Sequence, residues 1–159
     1  MKITNRAAFL AMLLGFAFAS TNAAAQKATA PDIEAVKAAN KAFYAALSTR
    51  DVAAIKKVWA SDANVQNAGP RSKDFDLGWE AQVKGYEAVF NAFPVLKVTM
   101  DEPRIRVNGN TAWVSGVEKA ERKNKAGEAI NGTNLGTSIF TKRGSRWLMV
   151  HHHASAVPQ

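Results

Sequence analysis

The sequence contains no cysteine. That excludes a thiol nucleophile, a thiolate metal site, a redox dithiol and any disulfide, and leaves packing alone to hold the fold. Histidine is nearly absent too: the three present, His151, His152 and His153, form a single run. No Gly-x-Ser-x-Gly elbow occurs, so a hydrolase of that kind is not indicated. No helical His motif with metal-ligand spacing accompanies the His run, so neither a metal nor another cofactor is expected. Acidic residues are outnumbered, 13 against 21 Lys and Arg, giving a formal net charge of +8. This excess is scattered. Its dense runs, Glu121-Arg122-Lys123-Asn124-Lys125 and Lys142-Arg143-Gly144-Ser145-Arg146, fall where hairpin turns are expected, which marks them as solvated turns and argues against a nucleic-acid partner.

What is present begins with an export signal. Lys2 and Arg6 precede an apolar run from Ala7 to Ala19, and Ala23-Ala24-Ala25 supplies an Ala-x-Ala cleavage pattern. The run is shorter than the about 20 residues that a membrane span requires. Residues 1–25 are therefore expected to be a cleaved signal peptide, with secretion to the periplasm and no membrane anchor. Residues 26–31 should be a flexible tail, and 32–156 one domain of ordinary size with a core of its own.

Within that domain the periodicity changes once. Ile33, Val36, Asn40, Phe43 and Leu47 lie on one helical face behind Asp32, a plausible N-cap. Asp51 opens a second, short helix carrying Val52, Ile55 and Trp59. A short strand is expected over 63–67, followed by a turn-rich flap. Trp79, Val83, Tyr86, Phe90 and Phe93 then mark a third helix, stopped by Pro94. From Val95 the period is 2. Asn108-Gly109 is a strong hairpin signal, Glu102-Pro103 predicts a bend or bulge on an edge strand, and further turns follow near 123–127 and at Arg143-Gly144. Three helices followed by a four-stranded antiparallel meander make an α+β fold, and a long bent sheet can curl into a cone with an open mouth.

The order of these segments, with the words Phe43-Tyr44-Ala45-Ala46-Leu47, Val58-Trp59-Ala60-Ser61-Asp62-Ala63-Asn64-Val65, Thr111-Ala112-Trp113-Val114 and Arg146-Trp147-Leu148-Met149-Val150-His151-His152-His153, resembles the nuclear transport factor 2-like superfamily, in its SnoaL-like and ketosteroid-isomerase-like branch. The resemblance implies a cone-shaped curved antiparallel sheet wrapped by three N-terminal helices, an apolar pocket and a homodimer formed through the sheet. It also implies positions for a ketosteroid-isomerase mechanism, and this chain departs from each. The base position falls on Asn67, which cannot abstract a proton. The donor Tyr position falls on Phe43, with Tyr44 one residue off. The strand from Asn131 to Thr141 carries no acid.

The candidate site rests on the last strand. Strict alternation puts Trp147, Met149, His151, His153 and Ser155 on one face, and Leu148, Val150, His152 and Ala154 on the other. The expected ligand-binding set is Asn67, Trp79, Trp113, His151 and His153 around one cavity. Three functions compete: a binding domain for a small apolar or amphipathic molecule, an isomerase, cyclase or dehydratase using His153 or His151 as acid–base, and a dimerising interaction module.

Overall fold

The structure, a computed structural model, describes residues 29–158. The expected signal peptide lies outside the described residues. Three helices, α1 (Ala30–Thr49), α2 (Val52–Val58) and α3 (Trp79–Ala92), pack on one six-stranded sheet. Its strands are β1 (Gln66–Ala68), β2 (Asp76–Leu77), β3 (Val95–Asn108), β4 (Thr111–Lys123), β5 (Gly132–Arg143) and β6 (Arg146–Ala156), in the spatial order β2-β1-β6-β5-β4-β3. Strands β3 to β6 form the expected antiparallel meander. The sheet as a whole is mixed, because β1 pairs with β6 in parallel.

Local chemistry explains most boundaries. Helix α1 starts one turn earlier than the sequence suggested: Thr29, not Asp32, is the N-cap, its hydroxyl accepting from the Asp32 amide at 3.3 Å. Asp32 is freed to accept from Lys142 Nζ at 2.7 Å and from Trp147 Nε1 at 3.1 Å, tying α1 to the far end of the sheet. Asp51 caps α2 through the Ala54 amide. Gly78, at φ +78°, turns the chain from β2 into α3, a conformation that glycine adopts without steric cost. On the edge strand β3 the register shifts between Asp101 and Arg104, at the expected Glu102-Pro103 irregularity.

The core lies between the concave face of the sheet and the helices, filled by Phe43, Ile55, Trp59, Phe140 and Met149, all essentially without solvent contact. Ala112, Val114, Glu118 and Ala120 mark the inward face of β4, and Asn134, Gly136, Ser138 and Phe140 that of β5. On β6 the alternation breaks. Ile139 pairs with His151 but Phe140 pairs with Met149, so Val150 is an extra residue in a bulge. Trp147 and Met149 face inward before it, His152 and Ala154 after it. An inserted residue shifts every following side chain to the opposite face.

Candidate functional site

A cavity of about 360 Å³ opens between α1, α3, the β1–β2 loop and the concave sheet. Its walls are mostly apolar, with Phe43, Leu47, Phe93, Leu96 and Val98 among them. Polar groups enter at a few points, the usual composition of a small-molecule site.

The most buried of these is a connected chain. Glu118 extends from β4 with only 3% of its surface exposed. Tyr44 Oη donates to its Oε1 at 2.8 Å, and Asn134 Nδ2, directly across on β5, reaches its Oε2 at 3.4 Å. His152 Nε2 lies 3.5 Å from the same Oε1, a long contact for a hydrogen bond. The other ring nitrogen of His152, Nδ1, pairs at 3.0 Å with Oγ of Ser138, its cross-strand neighbour. The ring packs 4.9 Å from the Phe43 ring, centroid to centroid. Tyr44, Glu118, His152 and Ser138 thus form one buried run from α1 across three strands.

Burial sets the protonation of this run. Desolvation disfavours charge. It raises the Glu118 carboxyl above its ordinary value, and the hydrogen bonds from Tyr44 and Asn134 offset only part of that rise. It pushes His152 down to about 3, with the nearby His151 and His153 adding to the effect. The Tyr44 phenol is pushed well up, by burial first and then by the Glu118 charge. The carboxyl therefore holds its proton longer than usual beside a neutral imidazole.

A second carboxyl lines the cavity from β2. Asp76 stands opposite Asn67 in the β1–β2 pair. Partial burial raises its pKa, and the Asn67 amide offsets part of the rise. Two glycines make room for these carboxyls. A Cβ at Gly136 would press on Glu118 Oε1 and come within 2.7 Å of its Cδ, and one at Gly85 on α3 would crowd the Asp76 carboxylate, at 3.2 Å from its Cγ.

Against the expected set, the structure brings Asn67 to the cavity and leaves the others elsewhere. Trp79 is half-buried and packs on the core. Trp113 is 42% exposed, on the outer face of the sheet. His151 and His153 also face outward, where the Phe75 ring lies 5.9 and 6.0 Å from theirs. The middle histidine faces in, and the bulge at Val150 is the reason. Asn40 ties α1 to β3, its Nδ2 lying 3.8 Å from Met100 Sδ. Sequence reasoning missed Glu118, Ser138, Asn134 and the role of Tyr44. One signal was available for Glu118: it is an acid in step with Ala112, Val114 and Ala120 on the apolar face of its strand.

Among the described residues, no group of His and carboxylate side chains is arranged to hold a metal ion, and no helix is long and apolar enough to cross a membrane.

Residues 36–159 match the SnoaL-like domain family, and the chain belongs to it. Among solved structures, a nuclear transport factor 2-like protein from Salmonella enterica superposes with a TM-score of 0.77 at 18% identity, covering 83% of this chain and 95% of that one. A proposed dehydratase of the same superfamily from Streptomyces avermitilis gives 0.73 at 21%, covering 81% and 99%. A ketosteroid isomerase-like protein from Erwinia carotovora gives 0.71 at 16%, covering 82% and 100%. At these identities the likeness carries the fold alone. No curated protein matches the chain.

Proposed function

We propose that the protein binds a small, largely apolar molecule in this cavity and catalyses proton transfer on it, as an isomerase or dehydratase does. One observation carries the reading: the carboxyl, phenol, imidazole and hydroxyl of Glu118, Tyr44, His152 and Ser138 are joined in one buried run at the wall of a cavity that also holds a second carboxyl, Asp76. Carboxyls whose environments differ are a means of dividing acid and base roles near neutral pH. Asp76, the more accessible, takes the proton from a carbon made acidic by a neighbouring carbonyl. Glu118, the more buried, presents its proton to the oxygen where charge develops, which in a dehydration is the β-hydroxyl that takes this proton and departs as water as the carbon–oxygen bond breaks, and Tyr44 and His152 hold its orientation. His152 replaces His151 and His153 as the histidine of the site.

The test uses a panel of β-hydroxy ketones, whose dehydration to conjugated enones is followed by ultraviolet absorbance. Turnover of one or more is expected. Glu118→Gln and Asp76→Asn should each lower kcat by on the order of 10²-fold or more, with the cooperative melt retained. Binding of these compounds without turnover, in the wild type, would overturn the enzymatic reading and leave a binding domain. That second reading has its own support in the mostly apolar walls.

We also infer a homodimer formed through the outer sheet face, supported by the exposed Trp113, Val117 and Leu135 on adjacent strands, and export to the periplasm, supported by the signal-like residues 1–25.

A further inference from the structure

Two arginines, Arg71 and Arg122, line the cavity together. Arg71 sits in the β1–β2 loop, on a turn closed by the Ser72 amide to Gly69 O at 3.0 Å and by the Gly69 amide to Ser72 Oγ at 2.9 Å. Arg122 comes from the end of β4. Its Cζ lies 5.2 Å over the Phe93 ring, and its Nε donates to Ile130 O at 3.2 Å. A stacked ring and a carbonyl therefore hold the half-buried guanidinium in place.

No carboxylate answers either group. The ion pairs among the described residues join Lys37 to Glu34, Lys97 to Glu121, Lys119 to Asp101, Lys142 to Asp32 and Arg143 to Asp62, while Glu118 lies against the neutral ring of His152; Arg71 and Arg122 are in none of these contacts. Asp76 and Glu118 share the cavity yet stand outside ion-pairing reach. Two like charges facing one partly desolvated space repel each other. Burial, and then the charge of Arg71, lower the Arg122 pKa accordingly. An oxyanion between the two would relieve that repulsion and satisfy donors that the fold leaves open, and a planar guanidinium can meet it with two parallel hydrogen bonds.

The polar groups of the cavity are also graded in depth. Arg71 is exposed and Arg122 half-buried, whereas Glu118, Asn134 and His152 are buried. Phe93, Leu96, Val98, Leu47 and Phe43 supply the apolar wall of the same space.

We propose that the ligand of this cavity is an amphipathic oxyanion: a carboxylate or similar head group held by Arg71 and Arg122 at the mouth, with an apolar body reaching inward to Glu118 and His152. This names the substrate class for the acid–base reading above and rests on that reading only for what happens at the inner end. The volume of about 360 Å³ is near the small end for small-molecule sites, about 300–1,000 Å³.

Decanoate and decan-1-ol serve as matched probes, titrated calorimetrically into the purified protein at low salt. Decanoate should bind at least about tenfold more tightly than the alcohol, and its affinity should weaken as salt is added. Arg71→Gln, a change on an exposed loop that leaves the sheet intact, should weaken decanoate by about tenfold and leave decan-1-ol unchanged. Arg122→Gln should do the same, with its melt recorded because the Ile130 contact is lost as well. Equal affinity for acid and alcohol, no binding of either, or an Arg71→Gln effect of the same size on both would overturn the proposal. The two readings fail separately. Selective decanoate binding with no turnover of any β-hydroxy ketone removes the catalytic assignment and leaves this one standing. Turnover of a β-hydroxy ketone bearing a terminal carboxylate whose kcat/KM is unaffected by either arginine substitution removes this one alone.

Discussion

At the scale of the residue, Glu118 and His152 pull stability in opposite directions with pH. Below the ordinary imidazole value of 6.5 the unfolded chain takes up a proton that buried His152, held near 3, refuses; falling pH therefore costs stability. Glu118 has the opposite sign. Above its ordinary 4.5 the unfolded chain releases a proton that the native carboxyl keeps, so rising pH costs stability until pH passes the raised native value. Just above 4.5 the two contributions oppose each other, each worth up to about 1.4 kcal/mol per pH unit. His152→Gln removes one and leaves the other. Relative to the wild type, the Tm of this variant should fall as pH is raised from 4.5 toward 6. Melts at half-unit steps check it; a Tm difference constant with pH would show that burial does not suppress the charge on His152.

At the scale of the element, the sheet has two faces with different tasks. The concave face carries the cavity. The outer face sets Trp113 beside Ile139 and His151, and Val117 beside Leu135, and Trp113, Val117 and Leu135 are each more than 40% exposed. Large contiguous apolar patches mark contact surfaces. Sedimentation velocity should show a dimer, and Val117→Lys with Leu135→Lys should make it a monomer that melts nearly as before when compared at matched dilution, since exposed substitutions usually cost no more than about 0.5 kcal/mol. A wild type that sediments as a monomer at all concentrations would dismiss this use of the face. The three helices and the four meander strands were legible in the sequence, because helical and strand periods, Asn108-Gly109 and Pro94 are local signals; β2, two residues inside the expected flap, was not, and the short strand expected over 63–67 lies at Gln66–Ala68. Which face of β6 carries the site was not legible either. Counting by twos from Trp147 predicts His151 and His153 inside, and one bulged residue, Val150, reverses the count. A bulge of this kind is set by pairing with β5 and leaves no local mark on an apolar strand. The family resemblance implies an acid on the strand that is β5, where there is none, whereas the inward acid of this chain, Glu118, stands on β4.

At the scale of the whole molecule, the chain is expected to mature by cleavage before Gln26. Intact-mass measurement on periplasmic material should give a chain beginning at Gln26, and full-length protein in the membrane fraction would count against export. The domain has no cysteine, so exposure to an oxidising compartment asks nothing further of it.

The parallel pairing of β1 with β6 governs how the molecule is made. Gln66 to Ala68 must wait for His151 to His153, contacts that span more than half the chain and are among the slowest to form, because a long loop must be closed before they contribute. Until β6 is in place, the core faces of α1 and α2, with Phe43 and Trp59, have no strand bearing Met149 and His152 to close on. Until then the apolar faces of the amino-terminal half lack the strand that covers them in the finished fold. A chain that completes its fold only with its final strand also stays threadable, which is the condition in which a protein can be passed through a narrow membrane pore.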